Sequence, residues 1–101
     1  MPGRGEAGLP DFRIFETKEF LKKLNELPRG DFDLIRRKLD EHVYPQLRQE
    51  PFFGPHIKKL RGYSPEAWRY RLGRFRLFYG IEEAERIVLI LTLDLRRDAY
   101  R

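Results

Sequence analysis

From Trp68 to Tyr79 the chain alternates apolar and cationic side chains on both sides of one glycine: Trp68-Arg69-Tyr70-Arg71-Leu72-Gly73-Arg74-Phe75-Arg76-Leu77-Phe78-Tyr79. Successive side chains of a strand point to opposite faces. The spacing predicts two strands joined at Gly73, with Trp68, Tyr70, Leu72, Phe75, Leu77 and Tyr79 on one face. Arg69, Arg71, Arg74 and Arg76 fall on the other, together with Phe78. Burying unpaired guanidinium groups costs roughly several kcal/mol each. The aromatic face must therefore carry the core, and the arginine face must stay open. Such a surface suits phosphate or carboxylate partners.

A chain of 101 residues has room for one domain with one modest core, which a 14% aromatic content helps to fill. The absence of cysteine excludes disulfides, thiolate metal sites and cysteine nucleophiles together. The formal charge of +5 is moderate, but its distribution is uneven. Between Lys58 and Tyr79 the cations are Lys58, Lys59, Arg61, Arg69, Arg71, Arg74 and Arg76, against a single acid, Glu66. From Asp11 to Glu50 both signs mix. Ile87 to Leu91, the longest apolar run, is far too short to span a bilayer, and no apolar signal core follows the N-terminal charges. A cytoplasmic protein without a membrane partner is expected. His42 and His56 lack a second ligand at metal-binding spacing and read as structural, and no cofactor is expected.

Residues 1–10 hold two prolines, three glycines and little to bury, which reads as a flexible arm ahead of a single domain over 11–101. Phe12, Ile14 and Phe15 fit a first strand. Thr17 fits the N-cap of a helix carrying Phe20, Leu21, Leu24 and Leu27, ended by Pro28-Arg29-Gly30. Asp31 or Asp33 then caps a second helix with Phe32, Ile35, Leu39 and Val43 on one side, until Pro45 ends or kinks it. After a stiff connector over 51–55, residues 56–60 read as extended and 61–65 as a loop. The run Glu82-Glu83-Ala84-Glu85 reads as a solvated turn. Arg86 to Leu93, apolar at both parities, reads as a central strand covered on both faces. The fold class is α+β: an N-terminal strand and a helical hairpin packed on a twisted, mostly antiparallel sheet of about four strands.

From Asp11 onward the sequence resembles the RelE/ParE superfamily of toxins, and within it the RelE-type messenger-RNA interferases. Four pieces carry the resemblance: the helix ending Leu24-Asn25-Glu26-Leu27-Pro28, the Lys59-Leu60-Arg61-Gly62 turn, the segment from Trp68 to Tyr79, and the terminal Arg96-Arg97-Asp98-Ala99-Tyr100. The resemblance implies a RelE-like fold and an endoribonuclease that inhibits translation. Messenger RNA would be cleaved in the ribosomal A site by metal-independent attack of a ribose 2′-hydroxyl on the adjacent phosphate. Arg69 and Arg71 match the paired basic positions of the second strand, both lysine in some relatives. Arg76 matches the arginine that grips the scissile phosphate. Tyr100 matches a C-terminal tyrosine that stacks on a base and assists proton transfer, and Arg96 is the nearest match to the basic group before it. Asp94 stands where a close relative carries an additional arginine. Lys58, Lys59, Arg61 and Arg74 are then candidates for further RNA contacts. Implied partners are the ribosome with its messenger RNA and a cognate antitoxin.

Because arginine stays protonated near neutrality, it is a better charge clamp than a base, so the general base and the general acid both remain open. Two other functions fit the same residues: a ParE-type toxin that poisons gyrase, and a non-catalytic module that occupies the ribosome or a nucleic acid.

Overall fold

The computed structural model describes residues 11–95. The element order is β1 (Arg13–Glu16), α1 (Lys18–Asn25), α2 (Arg29–Lys38), a π turn (Leu39–Val43), α3 (Tyr44–Gln49), β2 (Ile57–Lys59), β3 (Trp68–Leu72), β4 (Phe75–Glu82) and β5 (Ile87–Leu95). One sheet takes the order β1-β5-β4-β3-β2. β1 runs parallel to β5 and every other pair is antiparallel. The α+β reading holds, with five strands instead of about four, because the N-terminal strand joins the sheet along the free edge of β5. The proposed arm over 1–10 lies outside the described residues.

Thr17 caps α1 as its position ahead of the apolar repeat predicts. Its hydroxyl oxygen accepts from the Phe20 amide at 3.2 Å, and the hydroxyl donates to the Ile90 carbonyl at 2.7 Å. The residue thereby ties the start of α1 to β5. That strand is irregular there: Phe78 pairs with Thr92 but Tyr79 pairs with Ile90, which leaves Leu91 as the extra residue of a bulge.

α2 begins at Arg29 behind Pro28, earlier than an Asp31 or Asp33 cap would place it. Proline suits the entrance of a helix, where its missing N–H has no partner to lose. Pro45 does not end the helix. The Tyr44 amide donates to the Leu39 carbonyl, five residues back, and this wider turn absorbs the proline before α3 continues. Leu39, Val43 and Leu47, spaced by four, are fully buried along the resulting rod.

The core lies between this rod, α1 and one face of the sheet. Trp68, Tyr70, Leu72, Phe75, Leu77 and Tyr79 are all buried on that face, as the alternation requires. Val88, Ile90 and Leu93 of β5 join them. The second face of β5 is less covered than its apolar composition suggests, since Leu91 keeps 36% of its surface and Phe15, on the neighbouring β1, keeps 57%. Among the described residues no helix is long and apolar enough to cross a membrane.

Candidate functional site

Register assigns side chains to faces, because residues directly opposite one another on neighbouring strands share a face. Lys58 lies opposite Arg69, and Arg69 opposite Phe78. Arg71 lies opposite Arg76, and Arg76 opposite Asp94. Two rows thus cross the open face: Lys58, Arg69, Phe78 and Thr92 in one, and Arg71, Arg76 and Asp94 in the other. Neighbouring strands stand about 4.8 Å apart, so each row is a short ruler of charges at near-fixed spacing. The hairpin that sets it turns at Gly73, whose φ of +62° is open to glycine at no steric penalty.

Like charges directly opposite one another repel, and Arg71 with Arg76 is such a pair. The relief comes from the next strand. The Arg76 guanidinium donates from Nη2 to Asp94 Oδ2 at 3.1 Å, and the Leu95 amide donates to Asp94 Oδ1 at 2.9 Å. Arg76 is half-buried, with its guanidinium carbon 5.7 Å from the centre of the Phe78 ring. A face of cations free of interleaved acids was the expectation. It fails at Asp94, and the parity of Leu91-Thr92-Leu93-Asp94 in the sequence carries the signal that this carboxylate points to the same side.

Arg74 departs from the expected cluster. It occupies the turn, where no strand parity holds its side chain, and its Nη2 reaches Asp31 of α2 at 3.4 Å on the helical side. Lys59 also faces away: it pairs with Trp68 in register, its ammonium lies 2.8 Å from Glu66, and it sits 5.7 Å from the Trp68 ring centre. Arg61 is exposed in the loop beyond β2. Arg96 and Tyr100 lie outside the described residues. Of the candidates, Lys58, Arg69, Arg71 and Arg76 are brought together, and Arg74 and Lys59 are not.

Asp94 also edges a cleft of about 380 Å³ lined by Leu27, Pro28, Asp31, Arg74, Phe75 and Leu95 among others. A smaller cleft of about 210 Å³ at the other side of the hairpin is bordered by Lys38, His42, His56 and Arg71. Both histidines are exposed, and the His56 ring centre lies 5.5 Å from that of Tyr70. Among the described residues no three His, Cys, Asp or Glu side chains converge as a metal cage requires.

The strongly shifted groups lie beneath this face, not on it. Burial pushes Tyr79 well above the ordinary tyrosine value, helped by Tyr70 and Glu50, and its hydroxyl donates to the Pro51 carbonyl at 2.7 Å. Burial likewise raises Tyr44, which donates to Glu16 at 2.6 Å. These tyrosines serve the scaffold.

No family model matches the sequence. A protein of Methanocaldococcus jannaschii that carries the name toxin RelE1 is 30% identical over 90 residues, an alignment spanning 89% of this chain and 96% of that one. Among solved structures, a chain of the RelBE2 toxin–antitoxin complex of Mycobacterium tuberculosis superposes with a TM-score of 0.66 at 25% identity, covering 87% of this chain and 100% of that one. A chain of the RelE–RelB complex of Pyrococcus horikoshii superposes with a TM-score of 0.64 at 28% identity, over 86% and 97% of the two. Identity sustained along nearly the whole of both sequences, on the same fold, means that this chain belongs to the RelE family of toxins.

Proposed function

We propose that the protein is the toxin of a toxin–antitoxin system and acts as a cytoplasmic, ribosome-dependent endoribonuclease. It cuts messenger RNA in the A site by metal-independent attack of a 2′-hydroxyl on the adjacent phosphate. The observation that carries this reading is the row in which Arg71 and Arg76 stand opposite one another on an open face, with Lys58 and Arg69 in the row beside them. Attack on a phosphodiester concentrates negative charge on the phosphoryl oxygens, and fixed cations stabilise that charge more than the ground state. Arg76 grips the phosphate in this reading. Arg69 and Arg71 stabilise the developing phosphorane, and Phe78 offers an apolar edge to a base. Arg96 and Tyr100 are the candidates for assisting the leaving group.

The cognate antitoxin is the second partner. The two solved structures compared above, from Mycobacterium tuberculosis and Pyrococcus horikoshii, are toxin–antitoxin complexes. On this chain the basic rows adjoin an apolar area around Phe15, Phe78 and Leu91. An antitoxin segment combining acidic and apolar residues matches both.

The test is induction of the protein followed by mapping of 5′ ends on ribosome-bound messages. New ends at A-site codons are expected, and Arg76→Ala is expected to abolish both the ends and the growth arrest while its circular dichroism and melting stay unchanged. Intact transcripts with accumulating DNA breaks would point to gyrase instead. Salt-sensitive ribosome binding without cleavage would point to simple occupancy. Undiminished toxicity of Arg76→Ala at normal expression would remove that residue from the site.

A further inference from the structure

We infer that Asp94 is the general base of the cleavage proposed above, taking the proton of the attacking 2′-hydroxyl. The inference rests on that reading and adds the group it lacks. Guanidinium groups stay protonated at any pH where RNA and ribosomes are handled, so Arg69, Arg71 and Arg76 can hold charge but cannot accept a proton. Lys58 belongs to the other row, on a strand separated from Arg76 by β3. Asp94 stands in the row of Arg71 and Arg76, one strand beyond the arginine assigned to the phosphate.

The spacing suits the chemistry. Cross-strand neighbours have their Cβ atoms about 5 Å apart, and a ribose 2′-oxygen lies next to the phosphorus it attacks. The inference sets the ribose that carries the attacking 2′-hydroxyl on the Asp94 side of a phosphate held by Arg71 and Arg76, and the leaving 5′-oxygen on the other. The carboxylate is oriented before substrate arrives: Oδ2 accepts from Arg76 and Oδ1 from the Leu95 amide. Each oxygen retains a second lone pair, and the side chain is 55% exposed, so a hydroxyl can reach it. The neighbouring charges are Arg76 and Arg71 along the row, with Lys23, Glu26, Asp31 and Arg74 around the adjoining cleft.

The step balances without a co-reactant. The Asp94 carboxylate takes the 2′-hydroxyl proton as the 2′-oxygen bonds to phosphorus, and the bond from phosphorus to the 5′-oxygen breaks. The leaving oxygen takes a proton from an acid or from water. The products are a 2′,3′-cyclic phosphate and a 5′-hydroxyl, and Asp94 returns its proton to solvent.

A different role would leave the same ion pair in the structure: Asp94 could act only by neutralising Arg76, and the two roles predict opposite signs. The experiment is single-turnover cleavage of a defined message on programmed ribosomes, with ribosome binding measured separately. For Asp94→Asn the expected result is a rate lower by about 100-fold or more, with binding within about twofold. Asp94→Glu, which keeps a carboxylate, should keep a measurable part of the rate. Cleavage by Asp94→Asn as fast as the parent, or faster, overturns the inference while leaving the endonuclease reading intact. A parent protein that does not cleave overturns both. Should the Asn variant fail to fold, a folded Asp94→Glu variant that binds ribosomes but no longer cleaves counts against the inference in its place.

Discussion

Gly73 shows how little a single position needs in order to matter. It turns the hairpin at a φ of +62°, and a Cβ placed there would meet nothing within 4 Å. Gly73→Ala therefore acts through the backbone alone, and a loss of about 1 to 2 kcal/mol is expected in urea unfolding, with an unchanged m-value. A loss beyond about 3 kcal/mol would mean that the turn supports contacts besides its own geometry. The alternation on either side of this glycine is legible because strand parity is a local rule. Arg74 was not legible, since a turn residue has no parity to obey. Its side chain goes to Asp31, 43 positions away, which no short window of sequence joins to it.

At the scale of elements, Thr17 serves two masters. Its oxygen caps α1, while its hydroxyl reaches a carbonyl of β5 that is 73 residues distant. Thr17→Ala removes both bonds and leaves the Ile90 carbonyl without this partner, so a destabilisation of about 2 kcal/mol is expected, of which Thr17→Ser should recover most. A loss no larger than about 0.5 kcal/mol in thermal or denaturant unfolding would show that water replaces the threonine. The cap could be read from sequence and its second bond could not. Pro45 is the reverse case. A local rule makes it a helix end, yet burial of Leu39, Val43 and Leu47 along one face holds the rod together through a π turn. A short ion-pair cluster strengthens the same joint: Arg36 and Tyr44 both donate to the Glu16 carboxylate of β1. Burial lowers the Arg36 pKa, and the bond and charge of Glu16 more than offset it.

At the scale of the molecule, three tyrosines among the described residues carry hydroxyls into or against the core, with Tyr44, Tyr70 and Tyr79 keeping 4%, 5% and 0% of their surface. Burial raises all three above the ordinary value of 10.0. The unfolded chain begins to release these protons near pH 10.0 while the folded protein holds them. Stability is then complete below that pH and falls as the pH climbs above it, by up to about 1.4 kcal/mol per pH unit for each tyrosine. Denaturant unfolding across alkaline pH checks this, and Tyr79→Phe should flatten the decline. An equally steep decline in that variant would place its cause elsewhere. What the sequence determined by itself was everything that follows from period and side-chain chemistry: the α+β class, the aromatic core of the hairpin and the open basic face. What only the tertiary structure decided was which strands stand side by side. β4 and β5 form a short hairpin, but the bulge at Leu91 shifts their register by one residue and so sets Asp94 against Arg76, and no periodic pattern in the sequence announces a bulge.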